Sequence, residues 1–207
     1  MKSESLDIVR EIKRKGVHTF HEHHHILFDL AKNLGDGALN YVEIGCFEGA
    51  SACLMMHRPQ TNIISIDLGH PRNPQIAKDN VQRFYKFPNE YHYLMGSSSN
   101  PEILKLLFPL LKWKGIDLLF IDGGHKYNEV ILDYLLYSSL VNKGGYIVFD
   151  DMISPTCPDV PKAINFMKVT NVFRDFIVLG NGKNEAGADF KGEIFEYSNE
   201  YILQKMK

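Results

Sequence analysis

Strand-like runs that are apolar but for Asp117, IDLLFI (Ile116 to Ile121) and GYIVF (Gly145 to Phe149), constrain this chain more than any other feature. A strand with no polar face must be covered on both sides, and helices packed on a parallel sheet provide that cover. Similar runs are LNYVEI (Leu39 to Ile44), NIISID (Asn62 to Asp67), YHYLM (Tyr91 to Met95), FIVLG (Phe176 to Gly180) and EIFEY (Glu193 to Tyr197). Helical stretches alternate with them: Ala50 to Met56, Pro74 to Phe87, Pro101 to Leu111, Asn128 to Val141 and Val160 to Lys168. In the fourth, Val130, Ile131, Tyr134, Leu135, Ser138 and Val141 recur at three- and four-residue steps and make an inward stripe. Lys143-Gly144-Gly145 is expected to stop that helix, since glycine takes the left-handed cap conformation. Five βα units in succession predict an α/β, doubly wound sandwich. The last two strands flank NGKNEAGADFKG, a glycine-rich polar segment without helical pattern. They are expected as an antiparallel hairpin closing a seven-stranded, mainly parallel sheet.

The strand ends carry the chemistry. In an open α/β sheet the carboxyl ends of the strands face the ligand crevice. FIDGGHKY delivers Asp122 to that edge, and GGYIVFDD delivers Asp150 and Asp151, with His125 three residues after Asp122. Three carboxylates together suit a hard divalent cation such as Mg²⁺ or Ca²⁺. At the first strand end, YVEIGCFEGAS places Glu43, Gly45 and Gly49 ahead of a helix that begins near Ala50. The glycines let backbone approach a ligand beside a helix N-terminus. The spacing is G-x-x-x-G rather than the GxGxxG of a dinucleotide site, and Glu48 is awkward beside a diphosphate, so a cofactor without phosphate fits better. Asp67, at the end of the second strand, can accept from both hydroxyls of a ribose. MGSSS follows the third strand, where Ser97 or Ser98 can reach an adenine edge.

Composition sets the outer bounds. The chain has 207 residues, 44% hydrophobic and 23% charged, with a formal net charge of -2. That balance gives no basic field for nucleic acid or an anionic membrane. The charged start MKSESLDIVREIKRK lacks the apolar core of a signal peptide, and no run approaches the ~20 apolar residues of a membrane span. Cys46, Cys53 and Cys157 form no CxxC pair, which fits reduced thiols in a cytoplasmic protein and gives no zinc-ligand spacing. The stretch HTFHEHHH puts His21 and His25 at i, i+4 of an expected helix, a spacing that can bind zinc or nickel. Phe20, Leu27, Leu30 and Leu34 make that helix amphipathic, so the histidines read as its wet side, as lining of a substrate mouth, or as a metal site.

Taken in order, these pieces resemble the class I S-adenosylmethionine-dependent O-methyltransferases of the metal-dependent kind, including the catechol type and the macrocin-like sugar type. EIGCFEGAS is similar to that family's glycine loop, GSSS to its adenine-side serines, FIDGGHKY and GGYIVFDD to its two metal strands. The likeness runs from about Tyr41 to Asp151 and implies a Rossmann-like fold over one domain, residues 1–207. Within it, 1–38 is an N-terminal helical segment, 39–151 a cofactor and metal core, and 152–207 a substrate-side loop, helix and hairpin. By position, the resemblance implies Asp122, Asp150 and Asp151 as metal ligands. It places Glu43, Gly45, Phe47, Gly49, Ser51, Asp67, Ser97, Ser98 and Asp122 at the cofactor.

His125 stands where the catechol type carries a catalytic lysine, so His125 and Asp122 are the expected catalytic pair. Histidine there can act as base, or orient substrate or a metal-bound water. Asp151 matches the sugar type, whereas the catechol type has asparagine; Gly123 and Gly124 replace larger residues, among them an aromatic that packs on adenine. The implied activity is methyl transfer to a hydroxyl of a small molecule, a sugar, glycoside or phenolic, assisted by Mg²⁺ or another divalent cation. A cephalosporin-hydroxylase-like enzyme of another reaction type and a non-catalytic cofactor-binding module are the alternatives. An NAD-dependent dehydrogenase is disfavoured by the missing GxGxxG. The acceptor and any homo-oligomeric assembly are left open by the sequence.

Overall fold

The structure is a computed structural model that describes residues 4–17, 21–70, 73–181, 187–188, 194–195 and 199–206. Helices α1 (Glu4–Arg14) and α2 (His25–Asn33) precede β1 (Leu39–Ile44), followed by α3 (Ala50–Met55), β2 (Thr61–Asp67), α4 (Asn73–Gln82) and β3 (Glu90–Met95). Then come α5 (Pro101–Leu110), β4 (Ile116–Ile121), α6 (Tyr127–Tyr137), β5 (Val141–Phe149) and α7 (Asp159–Val169). The chain closes with β6 (Phe176–Asn181), the short β7 (Gly187–Ala188) and β8 (Ile194–Phe195), and β9 (Tyr201–Lys205). Among the described residues no helix is long and apolar enough to cross a membrane. Cys46, Cys53 and Cys157 are buried and free.

Seven strands form one sheet in the order β3-β2-β1-β4-β5-β9-β6. The first five pair in parallel, and β9 runs antiparallel to both β5 and β6. Side chains of successive strand residues point to opposite faces, so Tyr41 and Phe120 enter one core layer while Val42 and Leu119 enter the other. Helices α1 to α4 cover the first layer, and α5 to α7 the second. Pro101 at the first position of α5 and the Asn100 side chain, which accepts from Glu102 N at 3.0 Å, start that helix sharply. The order reverses between β1 and β4, and the crevice outside their carboxyl ends is where a ligand can enter such a sheet.

Three local expectations are corrected. Helix α6 ends at Tyr137, a 3₁₀ turn spans Ser138–Leu140, and β5 already begins at Val141. Lys143-Gly144-Gly145 therefore lies inside a strand, where pairing with β4 shifts register between Ile116 and Leu118. A Cβ on Gly145 would stand 2.8 Å from Asp117 O, so close backbone approach, rather than a helix stop, accounts for that glycine. The last sheet strand is Tyr201–Lys205 and not EIFEY; Ile194–Phe195 instead pairs with Gly187–Ala188 in a separate ribbon, and Glu193, Glu196 and Tyr197 lie outside the described residues. Burial decides this, because Tyr201, Ile202 and Leu203 are all buried and the Tyr201 ring meets Phe149 and Phe173. Finally, His21 and His25 share no helix face. Residues Glu22–His24 form a 3₁₀ turn, His21 stands before it in extended conformation, and α2 starts at His25. Phe20 lies outside the described residues.

Candidate active site

A cavity of about 580 Å³ opens above the carboxyl ends of the parallel strands. Its first wall is the loop after β1. Gly45 there has φ +85°, and a Cβ on it would lie 1.9 Å from the backbone oxygen of Asp122. Only glycine lets this loop cross so close to the end of β4, where Asp122 N donates to Ile44 O at 2.8 Å. The loop is then fastened to β2: Asp67 Oδ2 accepts from Cys46 N at 2.9 Å and Phe47 N at 3.0 Å. Asp67 Oδ1 accepts from Gly69 N at 2.8 Å. Asp67 thus shapes the loop, and two carboxylate oxygens with about four acceptor sites retain limited capacity for a ribose hydroxyl.

Of the residues expected at the cofactor, Gly45, Phe47, Ser51, Asp67, Ser97, Ser98 and Asp122 line this cavity. Glu43 and Gly49 do not. Glu43 is fully buried, and its carboxylate accepts from Tyr41 Oη at 2.8 Å and from the hydroxyls of Ser51 and Ser65. Burial raises its pKa, and the three hydroxyl donors work against that rise. Gly49, at φ +80°, is the left-handed N-cap of α3 and packs against Ala77. Opposite the loop, Ser98 Oγ donates to Asp133 Oδ1 at 2.5 Å, and burial lifts Asp133 to about 6. Leu132 and Asp133 line the cavity beside Ser98. They sit in the middle of α6, where nothing in the helical pattern distinguished them from ordinary amphipathic positions.

The acidic end lies at β4 and β5. His125 Nε2 is 3.0 Å from Asp151 Oδ2 and 3.6 Å from Asp122 Oδ1. The neighbouring carboxylates of Asp122 and Asp151 raise His125 to about 10, which favours its protonated form at neutral pH. Burial, with the carboxylates of Asp150 and Asp151 adding to it, lifts Asp122 to about 7. Asp151 is held below its ordinary range, chiefly by His125.

Asp150 faces elsewhere. Its Oδ2 lies 2.8 Å from His24 Nε2, and its Oδ1 accepts from Asp151 N at 2.7 Å and Asn199 Nδ2 at 3.0 Å. His23 Nε2 is 3.3 Å from the same Oδ1. Burial opposes ionisation of Asp150, yet the imidazoles of His23 and His24 outweigh it and hold the carboxyl below its usual range. The divergence of two adjacent carboxylates has a backbone cause: Asp151 adopts φ +63°, a left-handed turn that Asp tolerates better than most residues. His24 also lines the cavity, with its ring edge-on to Phe120 at 5.5 Å. The sequence pattern had singled out His21 and His25 instead; His21 lines the cavity, whereas His25 is turned to Glu22 O at 2.9 Å.

A second opening, of about 840 Å³, shares His21, His125 and Asp151 with the first and is otherwise lined by residues that include Ser154, Thr156 and Asn199. The two spaces therefore meet at the His125–Asp151 pair.

Comparison with known proteins agrees with this layout. A family model described as "Methyltransferase domain" matches residues 42–152. The uncharacterized protein R132 of Acanthamoeba polyphaga mimivirus is 44% identical over 138 residues, 64% of this chain and 60% of the viral protein, so this chain spans less than two thirds of that relative. Among solved structures, the O-methyltransferase from Bacillus cereus in complex with SAH is similar with TM-score 0.64 and 16% identity, covering 100% of this chain and 92% of that one. TomG from Streptomyces achromogenes, an O-methyltransferase of tomaymycin synthesis in complex with SAM, gives TM-score 0.62 and 16% identity over 100% and 92%. MycE of the mycinamycin pathway, in complex with Mg and SAH, gives TM-score 0.65 and 13% identity over 100% of this chain and 56% of MycE. The structures share the fold, and the family model spans the strands that carry the glycine loop, Asp67, Asp122 and Asp150: this chain belongs to the methyltransferase-domain family and has its class I, Rossmann-like fold.

Proposed function

We propose that the chain transfers the methyl group of S-adenosylmethionine to a hydroxyl of a small molecule, with a divalent cation at the acidic end of the site. The observation that carries this reading is the meeting of the two openings at His125 and Asp151. One opening has the glycine loop, Asp67 and the serines; the other combines Ser154, Thr156 and Asn199 with apolar surface at Ile153, a mixed lining suited to a hydroxylated acceptor such as a sugar, glycoside or phenolic. A cofactor methyl and an acceptor oxygen brought together there need mainly alignment, and alignment for in-line attack contributes on the order of 7–11 kcal/mol. SAH in the Bacillus cereus enzyme and SAM in TomG support the choice of cofactor.

The residues fit a hard cation. Carboxylate oxygens of Asp122 and Asp151 converge on one point, within 3.6 and 3.0 Å of the same imidazole nitrogen. Asp122, lifted to about 7 by burial and its acidic neighbours, belongs to a cluster that positive charge stabilises. Asp122 and Asp151 would hold the ion directly, and Asp150 would add charge from the side through a carboxylate already committed to other donors. Such an ion lowers the pKa of an acceptor hydroxyl and fixes its direction. With Asp122 and Asp151 committed to such an ion, they would hold the proton on His125 less tightly, and His125 would be free to serve as the base for an acceptor hydroxyl. Mg in MycE supports the choice of ion. The three buried, free thiols fit a cytoplasmic setting.

Calorimetry with S-adenosylmethionine, its demethylated product and NAD, each with and without Mg²⁺, tests the proposal. Binding of the first two, with Mg²⁺ binding abolished by Asp122→Ala, is the expected result. Tight NAD binding with no heat from S-adenosylmethionine would overturn it.

A further inference from the structure

At Gly123 and Gly124 the chain lacks the aromatic expected to pack on adenine. A Cβ on Gly124 would stand 2.5 Å from Glu129 Oε2 and 2.9 Å from Glu129 Cβ, and one on Gly123 would stand 2.9 Å from Ile44 Cγ2. The two glycines let the first turn of α6 close on the turn that follows β4. Further along that helix, Leu132 and Asp133 line the cofactor cavity together with the serines after β3.

We infer, on the S-adenosylmethionine reading proposed above, that Asp133 reads the base of the cofactor: its carboxylate accepts from the exocyclic amine of adenine and so selects a 6-amino purine. Asp133 is only 3% exposed, yet it lines the cavity. A carboxylate has about four acceptor sites, and among the described residues Ser98 Oγ fills one of them, at 2.5 Å. One hydroxyl does not offset the loss of water, since burial lifts Asp133 to about 6. A buried carboxylate needs donors in place of its hydration, and the amine of adenine brings N–H groups whereas its N7 is an acceptor. Ser98 Oγ, having given its proton to Asp133, can itself only accept. Both groups therefore call for a donor on the ligand.

The carboxylate is also held in place. Tyr137, one turn further along the same face of α6, donates from Oη to Ser98 O at 2.8 Å. Asp133 and Tyr137 thus grip Ser98 by its hydroxyl and its carbonyl, and join α6 to the loop after β3 at two points. Glu129, another acid on this wall, is committed elsewhere: its Oε2 accepts from Lys126 N at 3.2 Å, and its Oε1 lies 3.7 Å from Lys126 Nζ. Leu132 and Leu68 line the same cavity and are exposed, so they offer apolar surface to the face of a purine.

The test is calorimetry of the full chain at slightly alkaline pH, where Asp133 is ionised. The two ligands are SAH and its analogue with hydrogen in place of the amine at purine C6. Wild type should bind the analogue about 10- to 100-fold more weakly than SAH, the range of one hydrogen bond to a charged group. In Asp133→Ala the two affinities should come within about threefold of each other. A residue that merely supports the fold would, on truncation, weaken both ligands alike and leave their ratio as in wild type; that result would overturn the proposal. Equal affinity of wild type for the two ligands would overturn it as well, and that measurement needs no variant to fold. Absence of heat from SAH itself would defeat the cofactor reading and this one with it, whereas equal affinities defeat the role of Asp133 alone.

Discussion

His24 and Asp150, separated by 126 positions in the chain, meet through a buried Nε2–Oδ2 contact of 2.8 Å. Burial lowers the pKa of His24, so the imidazole is neutral at neutral pH and its N–H can donate to an ionised Asp150. Truncating one partner of a buried pair leaves the other without its stabilisation, typically by about 3–5 kcal/mol. Asp150 keeps Asn199 and Asp151 N, so His24→Ala should cost less, about 2–3 kcal/mol, in urea denaturation of chelator-treated protein. Asp150 has a depressed pKa in the folded state, so its contribution is present above the ordinary Asp pKa of about 3.9 and is lost as pH falls further. The gap between wild type and His24→Ala should therefore narrow below about pH 4. A gap that stays constant down to acid unfolding would show that the ring contributes packing alone.

Gly45→Ala should be more damaging than its size suggests. The added Cβ would stand 1.9 Å from Asp122 O and 2.9 Å from Gly123 Cα, backbone atoms that cannot rotate away. The glycine loop and the end of β4 must then separate, which moves Phe47 and Asp122 together. A stability loss of more than about 2 kcal/mol is expected, along with loss of S-adenosylmethionine binding in calorimetry. Retained binding at wild-type affinity would mean that the loop tolerates a shift the packing here forbids.

The apolar runs Leu118–Ile121 of β4 and Tyr146–Phe149 of β5 announced a covered parallel sheet because no other surroundings satisfy both their faces, and the acids that follow them were legible at the ends of those runs. What escaped the sequence are relationships set by distant residues. Glu43 ends a strand as a cofactor acid does, yet Tyr41, Ser51 and Ser65 turn it inward. His24 is one of several histidines in a row, and only the placement of Asp150 after β5 selects it. EIFEY and YILQK are both strand-like, and the aromatic pocket of Phe149 and Phe173 chooses the tyrosine of the second. Leu132 and Asp133 line the cavity, Asp133 accepting from Ser98, a placement across the crevice that periodicity along α6 does not encode.

Asp67→Asn tests whether that carboxylate acts mainly on the loop or on the cofactor. Three backbone N–H groups, of Cys46, Phe47 and Gly69, donate to its two oxygens. Asparagine retains one acceptor oxygen and presents an NH₂ to the other side, so at least one of those donors loses its partner. Hydrogen bonds to charged groups contribute about 1.5–3 kcal/mol each. Affinity for S-adenosylmethionine should fall about 10- to 100-fold, and amide exchange at Cys46 and Phe47 should quicken even without ligand. Weaker binding with unchanged exchange would assign Asp67 to the ligand alone.

The protonation of His125 provides the last prediction. Between Asp122 and Asp151 its pKa is raised to about 10, against an ordinary value near 6.5. A raised folded-state pKa contributes stability that is fully present below the unfolded value and disappears as pH rises through the folded one. His125→Gln should therefore lower the unfolding temperature most at pH 6.5 and below, with the difference fading toward pH 10. The ring is 44% exposed, so solvent screening keeps the effect small. Imidazole resonances followed by NMR give the direct measurement: His125 should titrate well above the other histidines in chelator. Addition of Mg²⁺ should move that titration downward, because an ion on Asp122 and Asp151 takes over the charge that holds the proton. A His125 resonance that titrates near 6.5 in chelator, or that ignores Mg²⁺, would separate the imidazole from the cation site and remove it as the base.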